Sequence, residues 1–153
     1  MKTTDLVNST DGSFSIPLAV GTEISQNIFN IYSTVEKNSI QNKTASVITD
    51  RFKIIHMSAD DYRRNVGTSA TISVTIHYEY DDRAVTTGYF TLNDLPLVHK
   101  GSGIWQTTDN KTKVQDYTYN FIEGFGDTYG LNTINMNQQN ITVIWDQLGQ
   151  MGS

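Results

Sequence analysis

A ten-residue stretch with strict two-residue periodicity, TISVTIHYEY at residues 71–80, constrains the fold of this chain more than any other feature. Every second position is apolar, at Ile72, Val74, Ile76, Tyr78 and Tyr80. The positions between them are polar and hold Thr71, Ser73, Thr75, His77 and Glu79. Because successive side chains of a strand point to opposite faces, the alternation predicts a strand with one buried face. The next residues predict a turn at 81–84 and a second strand at 85–92, paired with the first as an antiparallel hairpin.

Other β-rich segments predict that most of the remaining chain is also antiparallel sheet. They cover residues 46–58, 104–107, 114–122 and 140–148, with a Gly- and Asn-rich loop at 123–139. In 46–58 the alternation puts Phe52, Ile54 and His56 on one side of the strand. No linker or repeat divides the 153 residues, so we expect a single domain with one core.

One segment near the N-terminus follows the helical period instead. Its apolar residues are Ile24, Ile28, Ile31, Tyr32 and Val35, which fall on one face of a helix. Thr22 suits an N-cap, and Glu23 stands where the helix dipole favours an acid. We therefore predict a helix at 22–38, after a polar N-terminal arm at 1–20. The predicted fold class is α+β, a mainly antiparallel sheet with one amphipathic helix near the N-terminus.

The charge pattern argues against two classes of partner. The formal net charge is −5, without the basic stripe that nucleic-acid-binding proteins usually show. The chain has neither a basic amphipathic helix nor an apolar run of roughly 18 residues. Asp5, Asn8 and Asp11 interrupt any apolar stretch at the start, so we expect no signal peptide. Nucleic acid and membrane are therefore not the expected partners.

The sequence carries no pattern that predicts an enzyme or a bound cofactor. There is no cysteine, which removes disulfides, thiolate metal sites and thiol nucleophiles together. The nucleophile elbow, the phosphate-binding P-loop and the dinucleotide-binding glycine motif do not occur. We therefore expect a protein without catalytic activity and without a cofactor.

One group of residues has the chemistry of a metal site. His77, Glu79 and Asp81 alternate along the end of the predicted strand, where their side chains could converge on a cation. A solvated polar strand face has the same spacing. We therefore predict no metal site and retain these three residues as candidates to examine.

The composition suits a surface that packs against copies of itself. Thr, Asn and Ser are abundant, and charged residues make up only 18% of the chain. The arm and the loop have the composition of segments that need partners to become ordered. We expect their apolar residues to form interfaces: Phe14, Ile16 and Leu18 in the arm, and Phe125, Tyr129 and Leu131 in the loop.

These features favour a structural or assembly subunit of a repeating particle. Its most concrete form is a bacteriophage virion protein, namely a tail, neck or capsid-associated protein. Such a protein is made in the host cytoplasm and resides in the virion. It forms a homo-oligomer and contacts other particle proteins.

Two alternatives remain open. The helix, the curved sheet and Trp105 after a glycine turn, in GSGIWQT, resemble the layout of the nuclear-transport-factor type. That resemblance implies a cone-shaped binding or conjugation-type domain. The aromatic residues Tyr117, Tyr119 and Phe121 either pack in the core or form a carbohydrate platform. The platform implies a β-sandwich carbohydrate-binding or adhesin module.

Overall fold

The computed structural model describes residues 7–8, 14–15, 24–31, 43–133 and 136–147, which contain thirteen β-strands. In chain order the strands are β1 (Val7–Asn8), β2 (Phe14–Ser15), β3 (Ser25–Ile31), β4 (Lys43–Thr49), β5 (Phe52–Ala59), β6 (Arg63–Asn65), β7 (Ser69–Tyr78), β8 (Tyr89–Leu92), β9 (Leu95–Gly101), β10 (Ile104–Asn110), β11 (Gln115–Tyr119), β12 (Ile122–Phe125) and β13 (Ile141–Asp146).

The strands form four sheets. A six-stranded sheet has the order β12-β8-β9-β10-β7-β5 and curls into a half-barrel. A three-stranded sheet has the order β11-β13-β6, and β1-β2 and β3-β4 form two-stranded ribbons. All pairs are antiparallel except β13 with β6. The α+β prediction is therefore wrong, because the part of the chain that the structure describes is all-β.

The helix predicted at 22–38 is the specific error. Residues 25–31 form β3, which pairs with β4 from Ser25↔Thr49 to Ile31↔Lys43. Residues 22–23 and 32–38 lie outside the described residues. The apolar spacing fits a helix, but Ile, Asn and Ser are weaker helix formers than Ala, Leu, Glu or Lys. A partner strand rich in Thr, Val and Ile supplies the cross-strand contacts that favour a strand instead.

The predicted strand at 70–80 is confirmed by β7, and so is its buried face. Ile72, Val74 and Ile76 have no exposed surface, whereas Tyr80 lies beyond the strand and is exposed. The predicted hairpin partner is wrong. β7 pairs with β5 and β10, and β8 pairs with β9 and β12. β10 occupies the edge of β7 along seven residue pairs, which leaves only a turn and the bridge His77↔Ala84 for the residues that follow.

A β-bulge changes the face of β5 part-way along the strand. The register with β7 shifts between Ile54 and His56. Phe52, Ile54 and Met57 are therefore buried, while Ile55 and His56 are exposed. The prediction that His56 shares a side with Phe52 and Ile54 is wrong for this reason, because one extra residue inverts every later side chain.

One hydrophobic core joins the six-stranded sheet to the three-stranded sheet. From the first sheet it takes side chains of all six strands, which alternate along β7, and from the second it takes side chains of β11 and β13. Both tryptophans are buried and hydrogen-bonded: the indole N–H of Trp105 donates to the Val85 carbonyl, and that of Trp145 donates to the Thr68 carbonyl. A buried aromatic ring of this kind contributes large apolar area without leaving a polar atom unpaired.

Candidate functional site

The metal candidates have other partners in the structure. Glu79 pairs with the Arg51 guanidinium, whose hydrogen bond holds the pKa of the Glu79 carboxyl below its usual value. His77 Nδ1 lies 3.2 Å from Asp82 Oδ1, and Asp81 pairs with Arg83. Within the described ranges, no three His, Asp or Glu side chains come together as a metal site would require. His77, Glu79 and Asp81 are thus brought near one turn but not to a common centre.

The predicted interface of the arm is described only in part. Phe14 lies in β2, where its backbone pairs with Asn8 of β1. Ile16 and Leu18 lie outside the described residues. Whether the arm contacts a neighbouring subunit therefore stays a prediction.

The loop predicted at 123–139 is held by its own chain. It starts inside a strand, since β12 runs from Ile122 to Phe125. Asp127 is buried, accepts a hydrogen bond from the Tyr78 hydroxyl at 2.8 Å, and accepts a second from the Leu131 backbone N–H at 2.6 Å. Burial, together with the bond to Asp127, raises the pKa of the Tyr78 hydroxyl well above its ordinary value. Asp127 thus ties residues 127–131 to β7 through contacts within the chain, and the role of the loop as an interface stays a prediction.

The three loop residues proposed as interface differ in exposure. Leu131 packs half-buried against the core. Tyr129 is exposed, but its ring meets Tyr78 edge-on and its hydroxyl accepts a hydrogen bond from Arg83. Phe125 is 62% exposed and lies against Tyr89. Of the three, Phe125 keeps the most surface free for a partner.

The ribbon of β3 and β4 is the first surface that sequence reasoning missed. In the described structure these strands pair only with each other. Ile28 and Ile48 lie diagonally opposite on one face, exposed by 66% and 52%, and Val47 is exposed on the other face. The helix prediction hid this surface, because it placed Ile28 against the sheet.

The second missed surface is an open groove of about 360 Å³ on the outward face of β8 and β12. Cross-strand pairing places Tyr89 opposite Phe125 and Thr91 opposite Glu123. Asp94 comes from the two-residue turn between β8 and β9, in which Asn93 and Asp94 both have positive φ, as hairpin turns of this kind require. The alternation of IEGF at 122–125 was the one signal in the sequence, since it turns Glu123 and Phe125 outward together.

Gly124 fixes β12 against β8 beneath this groove. It lies opposite Phe90, and a Cβ at residue 124 would stand 2.1 Å from Cδ1 of the Phe90 ring. Only glycine permits this contact, because any side chain would have to displace a buried aromatic ring. The close approach of ring and backbone sets the register that aligns the groove residues.

The aromatic stripe considered as a carbohydrate platform is divided by the fold. Tyr119 is fully buried and Tyr117 is half-buried beneath Lys111, whose Nζ lies 3.9 Å from the ring centroid. Phe121 is exposed but lies between β11 and β12 rather than in either strand. These three rings do not form one accessible platform.

Comparison of the chain with protein-family models, curated proteins and solved structures gives no significant match. Among the residues described, none belongs to a helix long and apolar enough to cross a membrane.

Proposed function

We propose that this protein is a non-enzymatic structural subunit that assembles with copies of itself through the β3-β4 ribbon. The observation that carries the proposal is the exposure of apolar side chains on both faces of this ribbon. A two-stranded ribbon is marginally stable alone in water and needs a further strand or a packed face. Within the described residues the six-stranded sheet adds no strand to the ribbon, and it leaves Ile28, Val47 and Ile48 exposed.

The chemistry of the ribbon favours a second copy as the missing partner. Among the fourteen residues of its two strands, only Lys43 is charged, so two ribbons meet without strong repulsion. Exposed strand edges offer unpaired backbone donors and acceptors that another strand can take up. Packing of identical Ile28–Ile48 faces about a twofold axis buries these two residues of both copies in one isologous interface.

A second uncharged surface supports close contact between copies. The outward face of β7 presents Thr71, Ser73 and Thr75, flanked by neighbouring strands. The Gln106 side chain donates a hydrogen bond to the Ser73 hydroxyl at 2.9 Å, so part of this polar face is internally satisfied. A neutral polar face suits a lateral contact, because it carries little charge to desolvate.

The fold weakens one of the two alternative functions and adds a feature that favours the other. The nuclear-transport-factor layout depended on the helix at 22–38, and β3 occupies the described part of that segment. The binding-module alternative gains a specific feature in the groove between Tyr89 and Phe125. Membership of a bacteriophage virion stays a prediction.

Analytical ultracentrifugation of matched variants tests the assembly proposal. We expect the wild-type protein to sediment as an oligomer, and Ile28→Asp with Ile48→Asp to sediment as a folded monomer. Val114→Asp is the control, because Val114 is 61% exposed and lies outside the ribbon. A wild-type protein that is still monomeric at a concentration of about 100 μM would contradict the proposal, because its dissociation constant for self-association would then be well above about 100 μM. So would an oligomer that survives both ribbon charges.

A further inference from the structure

The groove on β8 and β12 combines two exposed rings with two acidic side chains. The ring centroids of Tyr89 and Phe125 lie 5.6 Å apart at an interplanar angle of 46°. Tyr89 is 52% exposed and Phe125 is 62% exposed, so ring surface is open to solvent in both. Asp94 and Glu123 line the same groove, and its described lining holds no Lys or Arg. The rings and the carboxylates therefore face a common space.

The acidic side chains of the groove are unusual in having no partner. Of the twelve Asp and Glu residues in the described ranges, nine accept a hydrogen bond or form an ion pair. The other three are Asp94, Asp116 and Glu123, and two of them line this groove. Outside the groove, every described carboxylate except that of Asp116 is hydrogen-bonded or ion-paired, whereas the groove leaves two open beside aromatic faces.

We propose that this groove binds an organic cation, specifically an alkylammonium group. The face of an aromatic ring attracts a cation within about 6 Å of the centroid, and the interaction strengthens as water is displaced. Asp94 and Glu123 add Coulomb attraction, and Thr91 supplies a hydroxyl beside them. A neutral ligand such as a sugar gains from the rings but leaves both negative charges uncompensated.

The groove is independent of the assembly proposal. None of its described lining residues belongs to β3 or β4, and its floor is held by the Gly124–Phe90 contact within the six-stranded sheet. The monomeric Ile28→Asp, Ile48→Asp variant must therefore keep the ligand affinity of the wild type. Failure of one proposal leaves the other standing.

The decisive probe is choline compared with 3,3-dimethylbutan-1-ol, which has the same shape without the charge. Titration at constant ionic strength, followed by NMR shifts of groove amides, should give a choline dissociation constant of roughly 1–10 mM. The neutral analogue should bind at least about tenfold more weakly. Equal affinity for the two compounds would overturn the proposal, as would binding of maltotriose in place of choline.

Variants tie the binding to the groove. Asp94→Asn with Glu123→Gln should weaken choline binding about three- to tenfold, as expected for exposed charges. Phe125→Ala should weaken it by a similar factor through loss of one ring. Asp116→Asn is the matched control, because it removes the third unpaired carboxylate, which lies outside the groove, and it should leave the affinity unchanged. An equal loss in the control variant would overturn the site assignment.

An alkylammonium group can come from a small metabolite, a trimethylated lysine or a phosphatidylcholine headgroup. Free choline, a trimethyllysine peptide and phosphatidylcholine vesicles distinguish these sources in parallel titrations. Binding of any one of them supports the assignment and identifies the source. If none binds while the wild-type fold is intact, the proposal is wrong.

Discussion

The side chain of Asn137 pairs with the backbone of Ile54 as a neighbouring strand residue would. Its carbonyl oxygen accepts from the Ile54 N–H at 2.9 Å, and its amide donates to the Ile54 carbonyl at 3.2 Å. The next residue, Gln138, makes the same two bonds to Ile122, each at 3.1 Å. Ile54 lies in β5 and Ile122 in β12, the two edge strands of the six-stranded sheet. Two consecutive amide side chains thus hold together the open edges of the half-barrel.

Removing this clamp should destabilise the whole domain. Asn137→Ala with Gln138→Ala removes the partners of the Ile54 N–H and of the Ile122 N–H and carbonyl, at a cost of about 1–3 kcal/mol for each buried group left unpaired. The Ile54 carbonyl keeps its hydrogen bond from the Gln139 amide. We expect the free energy of unfolding in urea to fall by about 2–4 kcal/mol. Asn140→Ala is the control, because Asn140 is an exposed side chain in the same segment. A double variant within about 0.5 kcal/mol of the wild type would show that the clamp does not hold the edges.

The loss of folding stability at low pH should depend on Asp109. Burial acts to raise the pKa of this carboxyl, but hydrogen bonds from Tyr119 and Lys111 outweigh it and hold the pKa below its ordinary value of 3.8. A depressed pKa in the folded state contributes stability that is present above the unfolded-state value and is lost as the pH falls through the folded-state value. The free energy of unfolding should therefore decline below about pH 3.8.

Asp109→Asn tests this assignment through the shape of the pH profile. The variant should be less stable than the wild type at pH 7, and the difference should narrow as the pH falls below 3.8. Urea unfolding at a series of pH values measures both curves. A difference that stays constant from pH 7 to pH 2 would mean that the charge of Asp109 is not what stabilises the contact with Tyr119.

The two faces of β7 should respond oppositely to a charge. Val74→Asp puts an unpaired carboxylate at a position with no exposed surface, which costs several kcal/mol and should unfold the domain. Thr75→Asp, one residue further on the outward face, should remain folded. Circular dichroism and thermal unfolding measure the outcome. A soluble, cooperatively folded Val74→Asp protein would refute the buried face.

The features that could be predicted from the sequence are those set by neighbouring residues along the chain. Strict alternation along Ile72, Val74 and Ile76 identifies both the strand and its buried face, because the period of a strand is two. It could not identify the partner of β7, since β10 lies some thirty residues further along the chain and its pairing depends on loop geometry. Nor could it reveal the bulge after Ile54, which inverts the facing of His56 without any mark in the residue pattern.

The candidate surfaces were harder to foresee than the core. The groove depends on the register that places Tyr89 opposite Phe125, residues that are distant in sequence. The ribbon was missed because Ile24, Ile28 and Ile31 fit a helical period, and short apolar patterns of this kind fit more than one structure. Cross-strand pairing with residues 43–49 decided the outcome.

Hydrogen exchange of the ribbon amides tests the assembly proposal most directly. If copies associate through β3 and β4, the amides of Ser25–Ile31 and Lys43–Thr49 should exchange more slowly as the protein concentration rises. The amides of β7, buried within each subunit, should show no such dependence. Ribbon amides that stay unprotected at every concentration, or that are protected equally at all of them, would contradict assembly through this ribbon.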